Sequence, residues 1–401
     1  MALLPVKDAL SRLLADVVPC PAETLSLHDA AGRVLAEPVR ALRTQPPFDA
    51  SAMDGYAVRA QDIATLPATL RVIGEAPAGR PFEGSVGPQE AVRIFTGAPV
   101  PDGADTILIQ EDAKRLDGER IDALEATVRG RHIRRRGLDF AEGEPLLPAG
   151  RVLDPAALSL AAAASHAELP VVSRPRVAVL ATGDELVLPG APTGPGQIVA
   201  SNAYGVAAIA RLAGAEVADL GIVRDRKDEI ASIVTSAIED GAELLVTLGG
   251  ASVGDHDLVR DVLTGMGMQL DFWKIAMRPG KPLMFGRLGK VRVVGLPGNP
   301  VASLICSHLF LKPLIQTMAG AVPTQDWRDA TLARPMADND LREDYVRAVV
   351  RTTVDGLVAE PFAVQDSSML KTLAEANALI VRAPHAPAAG AGAPCRVLML
   401  R

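Results

Sequence analysis

The stretch that decides the fold begins with RVAVLAT at residues 176–182 and SNAYGVAAIARLAG at residues 201–214. The first pattern is typical of a buried strand, and the second is typical of a helix that ends at Gly214. The alternation continues with EVADLGIV, KDEIASIVTSAIEDG, AELLVTLGG, DLVRDVLTGMG, VRVVGL and VASLICSHLFLKPLIQTMAG. Strands rich in β-branched residues that alternate with helices predict a doubly wound, parallel α/β sheet. Such sheets bind ligands beyond the carboxyl ends of their strands.

The rest of the chain divides into regions of different texture. Residues 43–131 contain short β-like runs such as LRVIG and AVRIF between closely spaced turns, which predicts a β-rich unit. Residues 1–42 and 132–171 each combine a helix pattern with strand-like pieces. After Val322 the runs are β-like again, and they predict a small terminal barrel or sandwich.

The composition argues against several classes of function. The 401 residues carry a net charge of −7 and only 3% aromatic residues, which disfavours binding to nucleic acid or to an anionic membrane. Three distant cysteines indicate neither a disulfide framework nor a zinc site, so the reducing cytoplasm is the expected location. The N-terminus has the pattern of an amphipathic helix rather than a signal peptide. The longest bland stretch, Ala156–Ala164, is too short to span a bilayer.

The glycine-rich sequence TLGGASVGDHD at residues 247–257 follows a predicted strand. Its glycines can expose backbone N–H groups to a phosphate, its serine adds a hydroxyl, and the next helix presents its positive end. Its two aspartates are hard oxygen donors that suit Mg²⁺, although the first also suits a helix cap. The loop therefore predicts a phosphate cradle beside a magnesium site, with the candidates Gly249, Gly250, Ser252, Gly254, Asp255 and Asp257.

Two other strand ends carry acidic residues. TGDEL at residues 182–186 offers Thr182, Gly183, Asp184 and Glu185, without the G-x-G-x-x-G pattern of a dinucleotide site. Taken alone, this loop would favour a capped helix start over a site. Likewise LGIVRD, which ends at Asp225, is by itself an ordinary polar loop.

Two proline-stiffened turns, RPGKP at residues 278–282 and LPGNP at residues 296–300, hold glycine backbone in fixed positions. Arg278 and Lys281 place two cations three residues apart, which favours an anion clamp. Lys274 is expected on a strand just before the first turn. Two such turns in a short interval favour a functional site over plain connections.

Three stretches outside this region are also unusual. QPPFDASAMDGYAVR at residues 45–59 places two acids among prolines and small residues. RIFTGAPVPDGAD at residues 93–105 is a second glycine- and proline-rich loop, and RHIRRRGLDF at residues 131–140 clusters four arginines near an aspartate. A charge run is usually a solvated face, so the last stretch indicates a site only moderately.

Taken together, TGDEL, GQIVASN, GGASVGDHD, RPGKP and GLPGNPVAS resemble the molybdopterin-binding domain that MogA and MoeA proteins share. PPFDASAMDGYAVR, RIFTGAPVP and HIRRRGLDF resemble the MoeA family itself, the molybdopterin molybdenumtransferases, whose relatives include the gephyrin E domain. These matches run in order over nearly the whole chain. The resemblance implies four parts: a discontinuous domain I at 1–42 and 132–171, a β-rich inserted domain II at 43–131, a MogA-like α/β domain III at 172–322, and a C-terminal β-barrel domain IV at 323–401.

The resemblance also implies a reaction. MoeA enzymes take adenylylated molybdopterin and molybdate, release AMP and form the molybdenum cofactor with the help of Mg²⁺. The chain is accordingly expected to form a homodimer, with its cleft between domain III of one subunit and domain II of the other. Its expected partners are a MogA-type adenylyltransferase and the maturation proteins of molybdoenzymes.

The site residues implied by the resemblance fall into four groups. The catalytic positions are Asp54, Thr96, Asp139, Glu185, Asp225, Asp257 and Lys274. The metal positions are Glu185, Asp225 and Asp257, and the molybdate positions are Arg278, Lys281, Arg347, Ser367 and Ser368. The substrate positions are Thr182, Gly183, Asp184, Ser201, Asn202, Gly249, Gly250, Ser252, Gly254, Asp255, Gly280, Pro297, Gly298, Asn299 and Pro300.

This sequence departs from the family pattern at a few of these positions. Arg278 stands where lysine is more usual, which keeps the charge and changes the geometry. Asp366 and Ser368 stand where glycines are usual, and Lys371 replaces a usual serine. The last three departures lie beside the serines expected to contact molybdate.

Other functions remain open from the sequence. The α/β region resembles adenylyltransferases of the MogA type, so adenylylation of molybdopterin is the first alternative. A non-catalytic scaffold, as in gephyrin, and a paralogue that handles tungstate are the others. The acids at positions 54, 185, 225 and 257 favour catalysis.

Overall fold

The computed structural model describes residues 3–117, 119–249 and 258–401. The chain forms two compact units. The larger comprises Met1–Glu23, Gly32–Ala36 and Pro170–Arg401, and the smaller comprises Thr24–Ala31 and Glu37–Leu169. The four domain boundaries expected from the sequence remain a prediction.

The larger unit contains the predicted α/β sheet. Among the described residues this sheet has six strands, and four of them are parallel, as the alternation of strands and helices predicts. The last two strands join the sheet by antiparallel pairings, which the alternation did not predict. The order across the sheet is Glu216–Val223, Arg176–Thr182, Leu244–Leu248, Val291–Leu296, Met284–Leu288 and Gln269–Phe272.

Helices cover both faces of this sheet because both sets of alternate side chains on its strands are apolar. Val179 and Val246 pack into the core of one face, whereas Leu180 and Leu245 pack into the core of the other. The helices of the first face are Val6–Leu14, Asn202–Leu212 and the run Pro300–Met318. Those of the second face are Lys227–Glu239 and Leu258–Gly265.

The run Pro300–Met318 is a longer apolar helix than the Ala-rich segment at Pro155–Ala163. It has 19 residues with a mean hydropathy of 1.3, so its length and composition alone would allow it to cross a membrane. However, 72% of that window is buried inside the protein, which is the environment of a core helix. It widens to a π-turn at Ser307–Leu311.

The C-terminal region is a closed barrel, as predicted. The strand Glu343–Thr353 pairs with strands on both of its sides, which closes the circle. A sixth, two-residue strand, Met277–Arg278, joins from the α/β region and pairs in parallel with Glu343–Asp344. The RPGKP loop therefore begins inside the barrel sheet. The remaining barrel elements are Trp327–Leu332, Gly356–Pro361, Ala378–Arg382, Pro394–Met399 and the short helix Leu370–Glu375.

The smaller unit is β-rich, again as predicted. Its main sheet has the order Thr106–Ile109, Gly55–Val58, Glu90–Ile94, Ala68–Ala76, Arg120–Ala123 and Ala113–Asp117. Short strand pairs join Ala50–Ser51 to Ile133–Arg134 and Val39–Arg40 to Pro145–Leu147. The helix Pro155–Ala163 begins after Asp154, whose Oδ1 accepts a hydrogen bond from the backbone of Ala157 at 2.8 Å.

Candidate active site

A cleft of about 790 Å³ opens at the carboxyl ends of the parallel strands in the larger unit. This is the position at which α/β sheets bind ligands. Its wall combines loops of the sheet with two parts of the barrel, Arg342 and the start of the segment QDSSML at residues 365–370. The main described residues that line it are Thr182, Gly183, Glu185, Asp225, Gly249, Arg278, Gly280, Lys281, Pro297, Gly298, Asn299, Arg342, Gln365, Asp366 and Ser367.

Carboxylates crowd one end of this cleft. The backbone N–H of Asp225 donates to Asp184 Oδ1 at 3.2 Å, so the loops that follow two neighbouring strands meet here. Burial raises the pKa of Asp225, and the charges of Asp184 and Glu185 raise that pKa further. The predicted acids of two separate loops are therefore brought together, and they repel one another.

The crowded carboxylates fit a divalent cation. A cation between them would relieve the repulsion that raises the pKa of Asp225, and carboxylate oxygens are the ligands that Mg²⁺ prefers. Among the described residues, however, no group of three His, Cys, Asp or Glu side chains is close enough to hold a metal. The third predicted ligand, Asp257, lies outside the described residues.

Thr182 and Gly249 form the floor between two strand ends. Gly249 has φ +92°, and a Cβ there would lie 2.8 Å from the carbonyl oxygen of Thr182, so only glycine fits. The Thr182 side chain is buried, and its Oγ1 has no hydrogen-bond partner within the described chain. A buried hydroxyl without a partner at a cleft floor suits a ligand oxygen. The other predicted members of the glycine loop, Gly250, Ser252, Gly254 and Asp255, lie outside the described residues.

A second cavity of about 530 Å³ adjoins the first and shares Thr182, Glu185 and Gly249 with it. It contains the predicted Ser201 and Asn202 together with the apolar Leu186, Ile198 and Val199. Ser201 precedes the helix, but its side chain makes no capping hydrogen bond. Asn202 Nδ2 instead donates to the carbonyl oxygen of Gly298 at 2.8 Å, so it fixes the LPGNP loop rather than a helix end.

The LPGNP loop is tied to the barrel. Asn299 Nδ2 donates to Ser367 Oγ at 2.8 Å, and the backbone N–H of Val301 donates to the carbonyl oxygen of Ser367 at 3.1 Å. Ser367 thus contacts the first turn of the helix that begins at Pro300. The neighbouring Ser368 donates to Asp366 Oδ1 at 2.5 Å and lines the second cavity instead.

The two cations of the RPGKP loop differ in their surroundings. The guanidinium of Arg278 is held by Asp344 at 2.5 Å and Asp340 at 3.3 Å, and the hydrogen bond to Asp344 is the main cause of its raised pKa. Lys281 lines the cleft and forms no ion pair with any described residue. Gly280 between them has φ +111° and packs on the sulfur of Cys306. Lys281 is therefore the cation most available to an anion.

Two predicted cations lie away from the cleft wall. Arg347 is 1% exposed, and its side chain donates to Gln365 Oε1 at 3.1 Å and to the carbonyl oxygen of Met369 at 3.3 Å. Burial lowers its pKa, and the nearby Asp366 opposes that change. It therefore supports the QDSSML segment from behind. Lys274 lies in the connection after the strand Gln269–Phe272, with Nζ 4.1 Å from the ring centroid of Trp273.

In the smaller unit, the structure brings Asp54 and Thr96 into contact. Asp54 Oδ1 accepts hydrogen bonds from the backbone N–H and the Oγ1 of Thr96, both at 2.8 Å. These bonds lower the pKa of Asp54 because they favour the charged carboxylate. Two loops far apart in the sequence thus form one acidic feature.

Asp139 lines a separate cavity of about 340 Å³ with Pro46, Phe48, Gly97 and Arg134. The arginines near it are partly explained by a different acid. Asp49 accepts from Arg135 at 2.5 Å and from the backbone of Arg136 at 2.8 Å, which also lowers the pKa of Asp49. Part of the arginine cluster therefore stabilises the conformation of its own loop.

Comparison with known proteins covers nearly the whole chain. Residues 4–165 match the model of the MoeA N-terminal region (domain I and II), residues 178–317 match the "Probable molybdopterin binding domain", and residues 329–400 match the MoeA C-terminal region (domain IV). The molybdopterin molybdenumtransferase of Nostoc sp. is 36% identical over 90% of this chain and 84% of its own. That of Haemophilus influenzae is 35% identical over 94% of both chains.

The chain belongs to the MoeA family of molybdopterin molybdenumtransferases.

The fold agrees with this MoeA membership. A crystal structure of the molybdopterin biosynthesis MoeA protein from Pyrococcus horikoshii superimposes with a TM-score of 0.84, at 27% identity, over 99% of this chain and 100% of that one. Several of the motifs that suggested the family, among them TGDEL, GQIVASN, RPGKP and GLPGNPVAS, also contribute to the walls of the two cavities. Its fold class is therefore confirmed.

Two MoeA cleft residues were missed by the sequence reasoning. Arg342 lines the cleft, and its guanidinium donates to Asp340 Oδ2 at 3.0 Å. It stands in the acidic and basic run NDLRED, which looks like a solvated loop. Gln365, which holds Arg347 and lines the cleft, was also missed. Neither residue type carried a signal without the three-dimensional contact.

Proposed function

We propose that this protein inserts molybdate into adenylylated molybdopterin and releases AMP, with Mg²⁺ bound at the acidic end of the cleft. As a member of its family it is a transferase of molybdenum cofactor biosynthesis. The adenylylated form of the substrate, the metal and the placement of the oxyanion are the parts of the proposal that go further.

The single observation that carries the proposal is the polarity of the cleft. Glu185 and Asp225 line it with acidic groups, and Arg278 and Lys281 of the RPGKP loop line it with cationic groups. A phosphoanhydride needs charge compensation where its bond breaks, and bound Mg²⁺ supplies it. Glu185, Asp225 and the predicted Asp257 would hold that ion. A tetrahedral dianion such as molybdate suits the cationic end.

The two adjoining cavities suit a large, two-part substrate. The cavity lined by Leu186, Ile198 and Val199 offers apolar walls, which fit a flat ring system. Thr182 and Gly249 lie between that cavity and the main cleft, so a phosphate bridge at the floor would meet an unpartnered hydroxyl and glycine backbone. We propose that the pterin and the nucleotide lie on opposite sides of this floor.

The cellular setting is part of the same proposal. The family resemblance supports a cytoplasmic homodimer in which Asp54 and Thr96 of one subunit complete the cleft of the other. The adenylylated substrate would come from a MogA-type adenylyltransferase. The product would pass to the maturation proteins of molybdoenzymes.

The direct test supplies purified protein with adenylylated molybdopterin, Mg²⁺ and molybdate, and measures AMP. Asp225→Asn should lose most of the release, because it removes a charge from the acidic end. Asp228→Asn is the matched control, since Asp228 is an exposed helix residue paired with Arg226. Asp228→Asn should retain full release.

A second assay separates the proposal from its main alternative. With ATP and molybdopterin, an adenylyltransferase would release pyrophosphate, and this protein should not. Pyrophosphate release without molybdate-dependent AMP release would contradict the proposed function.

A further inference from the structure

Three barrel side chains hold the guanidinium of Arg278 at the start of the RPGKP loop. Its Nη2 donates to Asp344 Oδ2 at 2.5 Å and to Asn339 Oδ1 at 3.2 Å, and its Nη1 pairs with Asp340 Oδ2 at 3.3 Å. The Asp344 side chain is only 16% exposed, so water screens this pair less than a surface ion pair. Charge-assisted hydrogen bonds in such a setting orient a side chain as well as stabilise it.

Asn339 makes this arrangement rigid. The residue is 9% exposed, and its Nδ2 donates to the carbonyl oxygens of Arg342, Arg382 and Ala383. These bonds settle the orientation of the amide, so its Oδ1 faces Arg278. A buried amide with its partners in place cannot turn without losing several hydrogen bonds.

The same acids also reduce the charge of the cleft wall. Asp340 Oδ2 accepts from both Arg278 and Arg342, the two arginines that line the cleft. Asp344 neutralises Arg278 further. Two arginines therefore stand against two carboxylates, and Lys281 is the cleft cation that no described acid compensates.

The side chain of Arg278 also borders a second cavity. A cavity of about 630 Å³ in the barrel shares Arg278, Pro279 and Gln365 with the cleft, and Met336 and Phe362 line its inner side. A long arginine side chain at the border of two cavities populates several rotamers unless partners restrain it. The carboxylate of Asp344 supplies that restraint.

We propose that Asp344, supported by Asn339 and Asp340, is a positioning residue for Arg278 that orients its guanidinium at the cleft and offsets its charge. The wall then recognises a tetrahedral oxyanion by the directions of its donors, and it does not attract every dianion by charge alone. This inference rests on the proposed function only in that molybdate is taken as the oxyanion.

The test uses the whole protein and separates charge from geometry. Asp344→Asn keeps an acceptor of the same shape and removes one negative charge near the anion. The half-saturating molybdate concentration should fall about threefold, with a similar gain in inhibition by sulfate. Asp344→Ala removes the acceptor as well, so kcat should fall about tenfold because Arg278 is no longer oriented.

The double variant decides whether Asp344 acts through Arg278. In an Arg278→Ala background, the further change Asp344→Ala should lower kcat by less than about 1.5-fold, because the guanidinium that Asp344 orients is gone. An effect that persists undiminished in that background would overturn the positioning role. So would wild-type behaviour of Asp344→Asn. Asp355→Asn is the matched control, since Asp355 is an exposed turn residue of the same barrel.

Calorimetric titration with molybdate, without any pterin, keeps this test independent of turnover. A wild-type protein that binds molybdate but releases no AMP would contradict the proposed function alone. A protein that turns over normally while Asp344→Asn binds molybdate and sulfate as the wild type does would contradict this inference alone. Absence of molybdate binding in the wild type would overturn both.

Discussion

At the scale of the single residue, the surroundings of Asp225 disfavour its charged form. Its folded pKa is raised by burial and by Asp184 and Glu185, so ionisation costs more in the folded state than in the unfolded state. Stability is therefore lost as the pH rises from the pKa of a free aspartate through the raised value. Asp225→Asn should raise the Tm at neutral pH, and the difference should vanish at acidic pH.

The change in Tm on addition of Mg²⁺ tests the same prediction without a measurement of turnover. A bound cation relieves the same repulsion, so Mg²⁺ should raise the Tm of the wild type more than that of Asp225→Asn. Thermal unfolding with and without the ion, at several pH values, measures both effects. Equal Mg²⁺ shifts in the two proteins would show that the ion does not bind at this acidic end.

Thr96 controls the acidity of Asp54, also at the residue scale. Thr96→Val removes the Oγ1 donor and keeps the backbone N–H, so the pKa of Asp54 should rise part of the way back to normal. A carboxyl titration by NMR would detect this change directly. If the Asp54 carboxylate is needed for AMP release, the acid limb of the pH–rate profile should move to higher pH by the same amount.

Thr96→Ser is the matched control for that experiment because it keeps the hydroxyl. Its Asp54 pKa and its pH profile should match those of the wild type. A Thr96→Val protein with a shifted carboxyl pKa and an unchanged rate profile would separate the hydrogen bond from the reaction.

At the scale of the element, the RPGKP loop leaves no room for a side chain at Gly280. At Gly280, φ is +111°, and an added Cβ would lie 2.5 Å from Cys306 Sγ. Gly280→Ala should therefore reduce the free energy of unfolding by about 2 to 4 kcal/mol, from backbone strain and overpacking together. Chemical denaturation measures this loss.

A comparison variant at another glycine and a double-mutant cycle separate the backbone strain from the overpacking. Gly289 has φ +60° and open space around it, so Gly289→Ala should cost only about 1 to 2 kcal/mol of strain. Adding Cys306→Ala to Gly280→Ala should recover the overpacking part but not the strain. A Gly280→Ala loss no larger than that at Gly289 would mean that the sulfur moves aside without cost.

How much of an element can be predicted depends on how local its cause is. The four parallel strands follow from a repeated local pattern, so the alternation predicted them. The strands Met284–Leu288 and Gln269–Phe272 are set by antiparallel pairing with the strand that follows each of them in the chain, and neither QLDF nor MFGRL carries a distinctive period. The two-residue strand Met277–Arg278 has no pattern of its own, so only its partner reveals it.

The residues of the candidate site also differ in how far the sequence alone predicts them. Glycines, prolines and acids at strand ends were visible in the sequence because those residue types serve few structural purposes there. The contact of Asp54 with Thr96 joins distant loops, and only the family resemblance indicated both residues. The burial of Arg347 and the pairing of Arg278 with Asp344 depend on the barrel, and no local pattern reports them.

The expected dimer makes a prediction at the scale of the whole molecule. If the family arrangement holds, Asp54 and Asp225 of different subunits serve one cleft. Asp54→Ala and Asp225→Ala homodimers should each be inactive, whereas a mixed dimer should regain up to about half of the activity, since one of its two clefts is intact. Subunit exchange followed by an AMP assay measures this recovery.

The size of the particle supplies the control for that experiment. Analytical ultracentrifugation should show a dimer for the wild type and for both variants. No recovery in confirmed mixed dimers, or full activity in a strict monomer, would mean that each subunit carries a complete site.

The strand Met277–Arg278 places the seam between the α/β region and the barrel at a point that chain order does not suggest. A chimera that exchanges only residues 323–401 with those of a relative would cut through this seam, because the exchanged barrel would have to accept a foreign edge strand and a foreign cation. The transplantable piece is therefore the barrel together with its RPGKP partner. In this lineage, substitutions at positions 278 and 344 are expected to have been inherited as a pair, and recombination between them should be the breakpoint that natural variation avoids.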